Sequence, residues 1–134
     1  YNMGDYFAHW LEMGKKIPHA PKIFNVNWFR TDEDGNFIWP GFGDNMRVLL
    51  WILARCDDTV DAVETPVGYV PKPEDINVDG LKDVTIDTIK ELLKIDTASW
   101  KEDVKNIREF YALVGDRVPA ELHAELDALE KRLG

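Results

Sequence analysis

Hydrophobic positions along this chain change their period several times, and each change marks an element. Tyr6, Phe7, Trp10, Leu11 and Met13 recur near helical spacing, which predicts a short amphipathic helix over 5–13. Gly14, Pro18 and Pro21 are expected to end it. Over 22–30 the pattern alternates instead. Phe24, Val26 and Trp28 take one face of an extended chain, and Asn25, Asn27 and Phe29 take the other. A strand is predicted there, with Phe29 sharing its face with two asparagines and so looking toward a polar site. The following TDEDGN is turn chemistry, because Asp and Asn bond their own backbone and Gly35 permits positive φ. Phe37, Ile38 and Trp39 resume as a short strand, completing an aromatic hairpin that Pro40 stops.

The stretch GFGDN then leads into an apolar helix predicted over 46–56, with Asp44 or Asn45 as its N-cap. Residues 61–80 carry three prolines and two glycines, the pattern of extended segments and turns wrapping over a surface. Three helices are expected to follow. One covers 87–94, with Ile89, Leu92 and Leu93 inward. The next covers 98–114, striped by Trp100, Val104, Ile107, Tyr111 and Val114. The last holds Pro119 in its first turn and a stripe of Leu122, Leu126, Leu129 and Leu133. That stripe lasts about two heptads, short of the three or four that indicate a coiled coil, so it packs on its own domain. The fold class is α+β, a helix-rich chain with a small aromatic β-hairpin. It divides into 1–57 (helix, hairpin and apolar helix), 58–84 (the extended wrap) and 85–134 (the three helices).

Composition narrows the partners. With 134 residues, 45% hydrophobic and 31% charged, the chain is one globular domain's worth of sequence. The longest apolar run, 48–54, is well short of the ~18 residues that suggest a membrane span. A net charge of −9, from 16 basic and 25 acidic residues, repels nucleic-acid backbones and anionic membranes. Neither nucleic acid nor membrane is therefore an expected partner. The single Cys56 excludes an internal disulfide and is compatible with a reducing cytoplasm, the expected location. The chain begins without methionine or a signal-peptide pattern, with aromatics crowding residues 1–10, and is read as a piece of a longer protein.

Most catalytic constellations are absent. Asp32, Asp34 and Asn36 hint at a calcium loop, but glycine comes fourth, not sixth, and the twelfth position is Gly43. A solvated turn fits better. His9, His19 and His123 lack ligand spacing, and Cys56, after an apolar helix and before two aspartates, is most simply a helix-end residue. Neither a G-x-S-x-G elbow nor a P-loop occurs. What remains is the concentration of rings over 27–45. Phe29 faces a polar side, Phe42 sits between glycines, and Asn45 starts a helix beside it. Rings flanking a slot accept a flat π-system, and a carboxamide at the rim supplies a donor and an acceptor. From the residues alone, a planar-ligand slot and a small aromatic core both stay open.

At these residues the chain resembles a known family. NVNWFR at 25–30, FIWPGFGDN at 37–45 and RVLLWI at 47–52 look like the C-terminal part of the GTP-dependent phosphoenolpyruvate carboxykinases. YNMGDYFAHWLEM before them and TPVGYVPKPEDINVDGL after them are similar to the flanking family stretches. Asp44 stands where glutamate is common, and Met46 where a small residue is frequent. The resemblance implies an enzyme converting oxaloacetate and GTP into phosphoenolpyruvate, GDP and carbon dioxide, a step of gluconeogenesis, with manganese and magnesium. It implies a fragment of a larger α/β C-terminal domain in a monomeric parent, with GTP or GDP and the rest of the parent chain as partners.

By position, it also implies that Phe29, Phe37, Phe42 and Asn45 hold guanine, with Trp28 alongside. The phosphate loop with its reactive cysteine, the metal ligands, the substrate arginines and the lid would all lie upstream, so no catalytic and no metal residue is assigned here. The fragment alone is expected to be inactive. Guanine offers O6 as acceptor and N1–H and N2–H₂ as donors. N–H groups over 43–46 are expected to face O6, with a carbonyl or the Asn45 oxygen taking the ring donors, which leaves Asp44 as the N-cap. The rival reading is a non-catalytic module that binds ligands or partners through exposed aromatics.

Overall fold

Asn2 opens the first helix by accepting the Gly4 N–H at 2.7 Å on its side-chain oxygen, the usual way an N-cap satisfies a free backbone donor. The computed structural model describes residues 1–134. Its elements in chain order are α1 (Met3–Lys16), a 3₁₀ turn (Phe42–Asp44), α2 (Asn45–Cys56), β1 (Val63–Thr65), β2 (Gly68–Val70), a second 3₁₀ turn (Pro73–Asp75), α3 (Ile86–Leu93), α4 (Thr97–Val114) and α5 (Ala120–Leu133). The architecture is α+β: helices with one small antiparallel sheet. No helix is long and apolar enough to cross a membrane. The chain forms two compact units, one of Tyr1–Pro21 with Ile95–Gly134, the other of Lys22–Lys94.

In the first unit, α1 runs past Gly14 and stops only where Ile17 turns extended before Pro18. A single internal glycine costs roughly 1 kcal/mol against alanine, too little to end a helix, whereas a proline excludes helical backbone at the residue before it. Phe7, Leu11 and Met13 are half-buried, but Tyr6 and Trp10 lie on the exposed side with ring centroids 5.7 Å apart. Four residues apart on a helix, those two rings cover each other and not the core. Gly4 is buried against the Arg117 backbone, which a Cβ there would overlap. Asn2 Nδ2 donates to the Val114 carbonyl at 3.2 Å, and Arg117 pairs with Asp5 at 2.6 Å, joining α1 to the α4–α5 connection.

Asp96 caps α4 by accepting from the Ser99 N–H at 2.9 Å, and Gly115, at φ 84°, releases the chain at its end. Pro119 takes the N-cap position of α5, one residue before the expected first turn. Val104, Val118, Leu126 and Leu133 are buried, with Leu122, Leu129, Ile107 and Tyr111 half-buried beside them, as the stripes predict.

The second unit is built on Trp39, Trp51, Ile76, Val84 and Ile89, with Phe24, Trp28, Val48 and Ile52 packed against them. Burial over 24–29 alternates as read from the sequence: Phe24, Val26 and Trp28 turn inward, Asn25, Asn27 and Phe29 outward. No strand forms there, however. The aromatic hairpin is reduced to one antiparallel bridge, Thr31 with Phe37, flanked by the Asp32 N–H to Asn36 carbonyl bond at 2.9 Å and the Ile38 N–H to Arg30 carbonyl bond at 3.0 Å. Alternation needs only an extended backbone, whereas a ladder needs a partner of matching length. Segment 22–30 is tied at its end by a side chain. Arg30 donates to the carbonyls of Glu91 and Leu92, at 2.7 and 2.9 Å, satisfying the last turn of α3.

The two-stranded sheet lies instead within the stretch read as a surface wrap. β1 and β2 pair Val63 with Val70, Glu64 with Tyr69 and Thr65 with Gly68 across a two-residue turn. The β-branched and aromatic residues flanking that turn favour extended pairing. Helix α3 starts with a reciprocal capping box between Thr85 and Thr88.

Candidate functional site

The aromatic segment owes its shape to a side-chain-stabilised turn. Asp32 Oδ1 accepts the N–H groups of Asp34 at 3.0 Å and Asn36 at 2.8 Å. The bond from the Asn36 backbone, with further bonds from the Asn36 side chain and from Asp34 and Gly35, holds the Asp32 carboxyl below the usual aspartate range. Gly35, at φ 82°, completes the reversal. The bridge beyond it brings Phe29 and Phe37 together, with centroids 6.0 Å apart and planes at 62°, edge to face. Both rings face solvent, 73% and 64% exposed. The Phe29 N–H is held by Asn27 Oδ1 at 2.9 Å, so one of the two asparagines on that face fixes the backbone beneath the ring.

Past Pro40 the chain turns again at Gly41, whose φ of 101° only glycine adopts readily, and enters the 3₁₀ turn. Phe42 stands at the tip, 94% exposed and without a ring partner. Below it, Trp39 is 5% exposed and lies 6.4 Å from Trp28 between centroids. Its indole Nε1–H donates to Asn45 Oδ1 at 2.8 Å. The structure thus pairs Phe29 with Phe37, sets Trp28 and Asn45 against Trp39, and leaves Phe42 projecting alone.

Two details of base reading change. Asp44 occupies the N-cap position of α2 but makes no side-chain cap bond: its backbone is already helical there (φ −110°, ψ −1°), not extended as at a capping residue, and its Oδ1 accepts from Arg47 Nε at 3.0 Å. The 3₁₀ turn also consumes backbone donors: the Asp44 N–H bonds the Gly41 carbonyl at 3.0 Å, and the Asn45 N–H bonds that of Phe42. These two N–H groups are therefore not available to a ligand. The Asn45 oxygen, too, already holds a partner.

Arg47 is the organiser that sequence reasoning missed. Beyond Asp44, its guanidinium reaches the carbonyls of Asn77 and Asp79 at 2.8 and 2.9 Å, locking the 3₁₀ turn to loop 77–79. A guanidinium one turn into a helix with carbonyls nearby gives no sequence signal. Trp39 was also read only as a strand aromatic; the clue to its second role is an indole six residues before an asparagine, across a Pro-Gly turn. A cleft of about 580 Å³, lined in part by Val63, Val70, Pro71, Lys90 and Leu93, lies elsewhere in this unit, and none of the site rings lines it. No group of three His, Cys, Asp or Glu side chains is placed to hold a metal ion.

Comparison with known proteins agrees along nearly the whole chain. The family described as the phosphoenolpyruvate carboxykinase C-terminal P-loop domain matches residues 1–132. The phosphoenolpyruvate carboxykinase [GTP] of Treponema pallidum (strain Nichols) is 49% identical over 136 residues, covering 99% of this chain and 22% of the relative. The enzyme of the same name from Corynebacterium glutamicum (strain R) is 48% identical over 134 residues, again 99% of this chain and 22% of the relative. That of Thermoplasma volcanium is 46% identical over 134 residues, with 100% and 22% covered. The chain spans about a fifth of the length of these curated relatives, 22%. With its length matched almost end to end, this chain belongs to the phosphoenolpyruvate carboxykinase C-terminal P-loop domain family.

Proposed function

We propose that this segment supplies the guanine-binding surface of a longer GTP-dependent phosphoenolpyruvate carboxykinase and carries none of its covalent chemistry. The observation that supports it is the exposure of Phe29, Phe37 and Phe42, the first two paired edge to face, within the same signature stretch as the Trp39-held Asn45. Exposed phenylalanines cost solubility unless a ligand or another part of the protein covers them. Stacking on a purine is worth about 1–3 kcal/mol per base, enough for a few rings to anchor a nucleotide.

In the parent reaction the carbon–carbon bond to the departing carbon dioxide breaks, and its electron pair forms an enolate. The enolate oxygen then attacks the γ-phosphorus of GTP, and GDP leaves with the former bridging oxygen. Manganese and magnesium, when bound, neutralise phosphate charge. This segment's residues act earlier. Phe29, Phe37 and Phe42 bind the base face, Trp28 backs the ring cluster, and Asn45 reads the base edge. Orienting the base sets where the triphosphate points, and such positioning accounts for much of phosphoryl-transfer catalysis. The partners are GTP or GDP and the remainder of the longer chain, and the location is the cytoplasm.

Two measurements test this. In the full-length protein carrying this segment, GTP binding should be competed by GDP and guanosine and not by oligosaccharides; failure of guanosine to compete overturns the assignment. The chain by itself should form no phosphoenolpyruvate from oxaloacetate, GTP and manganese in a coupled assay. Turnover by the isolated chain would show that chemistry resides here after all.

A further inference from the structure

We infer that Trp39 is a positioning residue for base specificity: its indole N–H fixes the amide orientation of Asn45, so that the side chain offers NH₂, selecting purines with a 6-oxo group over those with a 6-amino group. The inference rests on the guanine reading above and adds the means of discrimination.

An asparagine side chain is nearly symmetric in shape, with oxygen and nitrogen able to exchange places by a half-turn of its amide. Left free, it suits a keto edge in one orientation and an amino edge in the other. An indole N–H can only donate. The group facing Trp39 Nε1 at 2.8 Å must therefore be the Asn45 oxygen. Trp39 is itself fixed, buried in the core of the unit and packed beside Trp28, so it does not turn to follow a ligand. Flipping Asn45 would set NH₂ against N–H and leave a buried donor unpaired, a costly arrangement. Within the chain, Asn45 Nδ2 makes no hydrogen bond, so both its protons are available.

The neighbouring backbone supports the same conclusion. With the Asp44 and Asn45 N–H groups spent inside the 3₁₀ turn, fewer backbone donors remain there to read a base edge, and the Asn45 amide adds one whose direction is fixed. An NH₂ fixed there attracts the O6 of guanine or hypoxanthine and opposes the N6–H₂ of adenine. Specificity then arises as much from the repelled base as from the accepted one.

The test uses the full-length protein carrying this segment and compares dissociation constants for GTP, ITP and ATP. The variants are Trp39→Phe and an isosteric replacement of Trp39 by benzothienylalanine, in which sulfur takes the place of N–H. Without the N–H, Asn45 can flip, and the GTP-over-ATP preference should fall on the order of tenfold, while the ITP-to-GTP ratio holds because both carry O6. Equal weakening of all three nucleotides, or an unchanged GTP-to-ATP ratio, overturns the inference. If Trp39→Phe disturbs folding, the isosteric analogue decides. If the unaltered protein fails to bind GTP, the guanine reading itself is what fails, and this inference falls with it.

Discussion

Arg47 Nε donates to Asp44 Oδ1 at 3.0 Å, and the same guanidinium holds the carbonyls of Asn77 and Asp79. One side chain thus ties the turn that carries Phe42 to a loop some thirty residues further along. Hydrogen bonds to charged groups contribute roughly 1.5–3 kcal/mol each where partly shielded. Replacing Arg47 by Ala should therefore lower stability by about 2 kcal/mol and loosen residues 41–45, seen as faster amide exchange there. Arg47→Lys should recover little, because an ammonium lacks the planar fork that reaches several acceptors at once. Full recovery by lysine would show that charge alone matters.

Phe42 touches no other ring and is almost fully exposed, so its removal separates binding from folding. Phe42→Ala should change stability by no more than about 0.5 kcal/mol. GTP affinity in the full-length protein should fall by about 1–3 kcal/mol, roughly five- to 150-fold. Parallel denaturant and nucleotide titrations check both halves. An unchanged dissociation constant removes Phe42 from the site.

Gly4 shows the opposite case, a residue kept small by packing. A Cβ at this position would run into the backbone of Arg117, which cannot swing aside as a flexible side-chain tip could. Gly4→Ala should cost about 1–3 kcal/mol as an overpacked site, although alanine favours helix elsewhere. Gly14→Ala, in open space on the same helix, should instead be neutral or stabilising. Thermal melts of the two variants should move in different directions.

The Asp32 turn should loosen in acid. Hydrogen bonds from the Asn36 backbone foremost, then from the Asn36 side chain, Asp34 and Gly35, hold the folded carboxyl below its ordinary value. A group whose folded pKa is lowered contributes stability above its unfolded pKa and loses it as pH falls through the folded one. Order in the turn should thus persist through neutral and mildly acidic pH and vanish only below the usual aspartate range. The Asn36 amide resonance, followed by NMR against pH, reports it. Asp32→Ala should abolish that titration and loosen the Phe29–Phe37 pair; an Asn36 amide midpoint at or above the ordinary aspartate value would contradict the bonding.

What could be read from the residues was what depends on local chemistry. Helical stripes placed α2, α3 and α4 to within a residue, and Pro119 with the leucine stripe marked where α5 begins, because each presents one apolar face whatever it packs against. The inward-outward alternation over 24–29 was equally legible, since any extended chain points successive side chains to opposite sides. The family signature, too, is carried by residue identity alone.

Pairing was not legible. Whether Phe24–Phe29 would join a ladder depended on a partner elsewhere in the chain, and the structure supplied one bridge and the Arg30 anchor instead of a second strand. The small sheet went to 63–70, where two short β-forming runs lie two residues apart. Likewise, the residues showed that Asn45 could donate or accept; only the approach of Trp39 decided which end of its amide faces outward. Sequence determines which groups and which local conformations are available. Tertiary structure decides which groups spend their hydrogen bonds on one another, because each donor can be satisfied only by an acceptor that folding brings within reach.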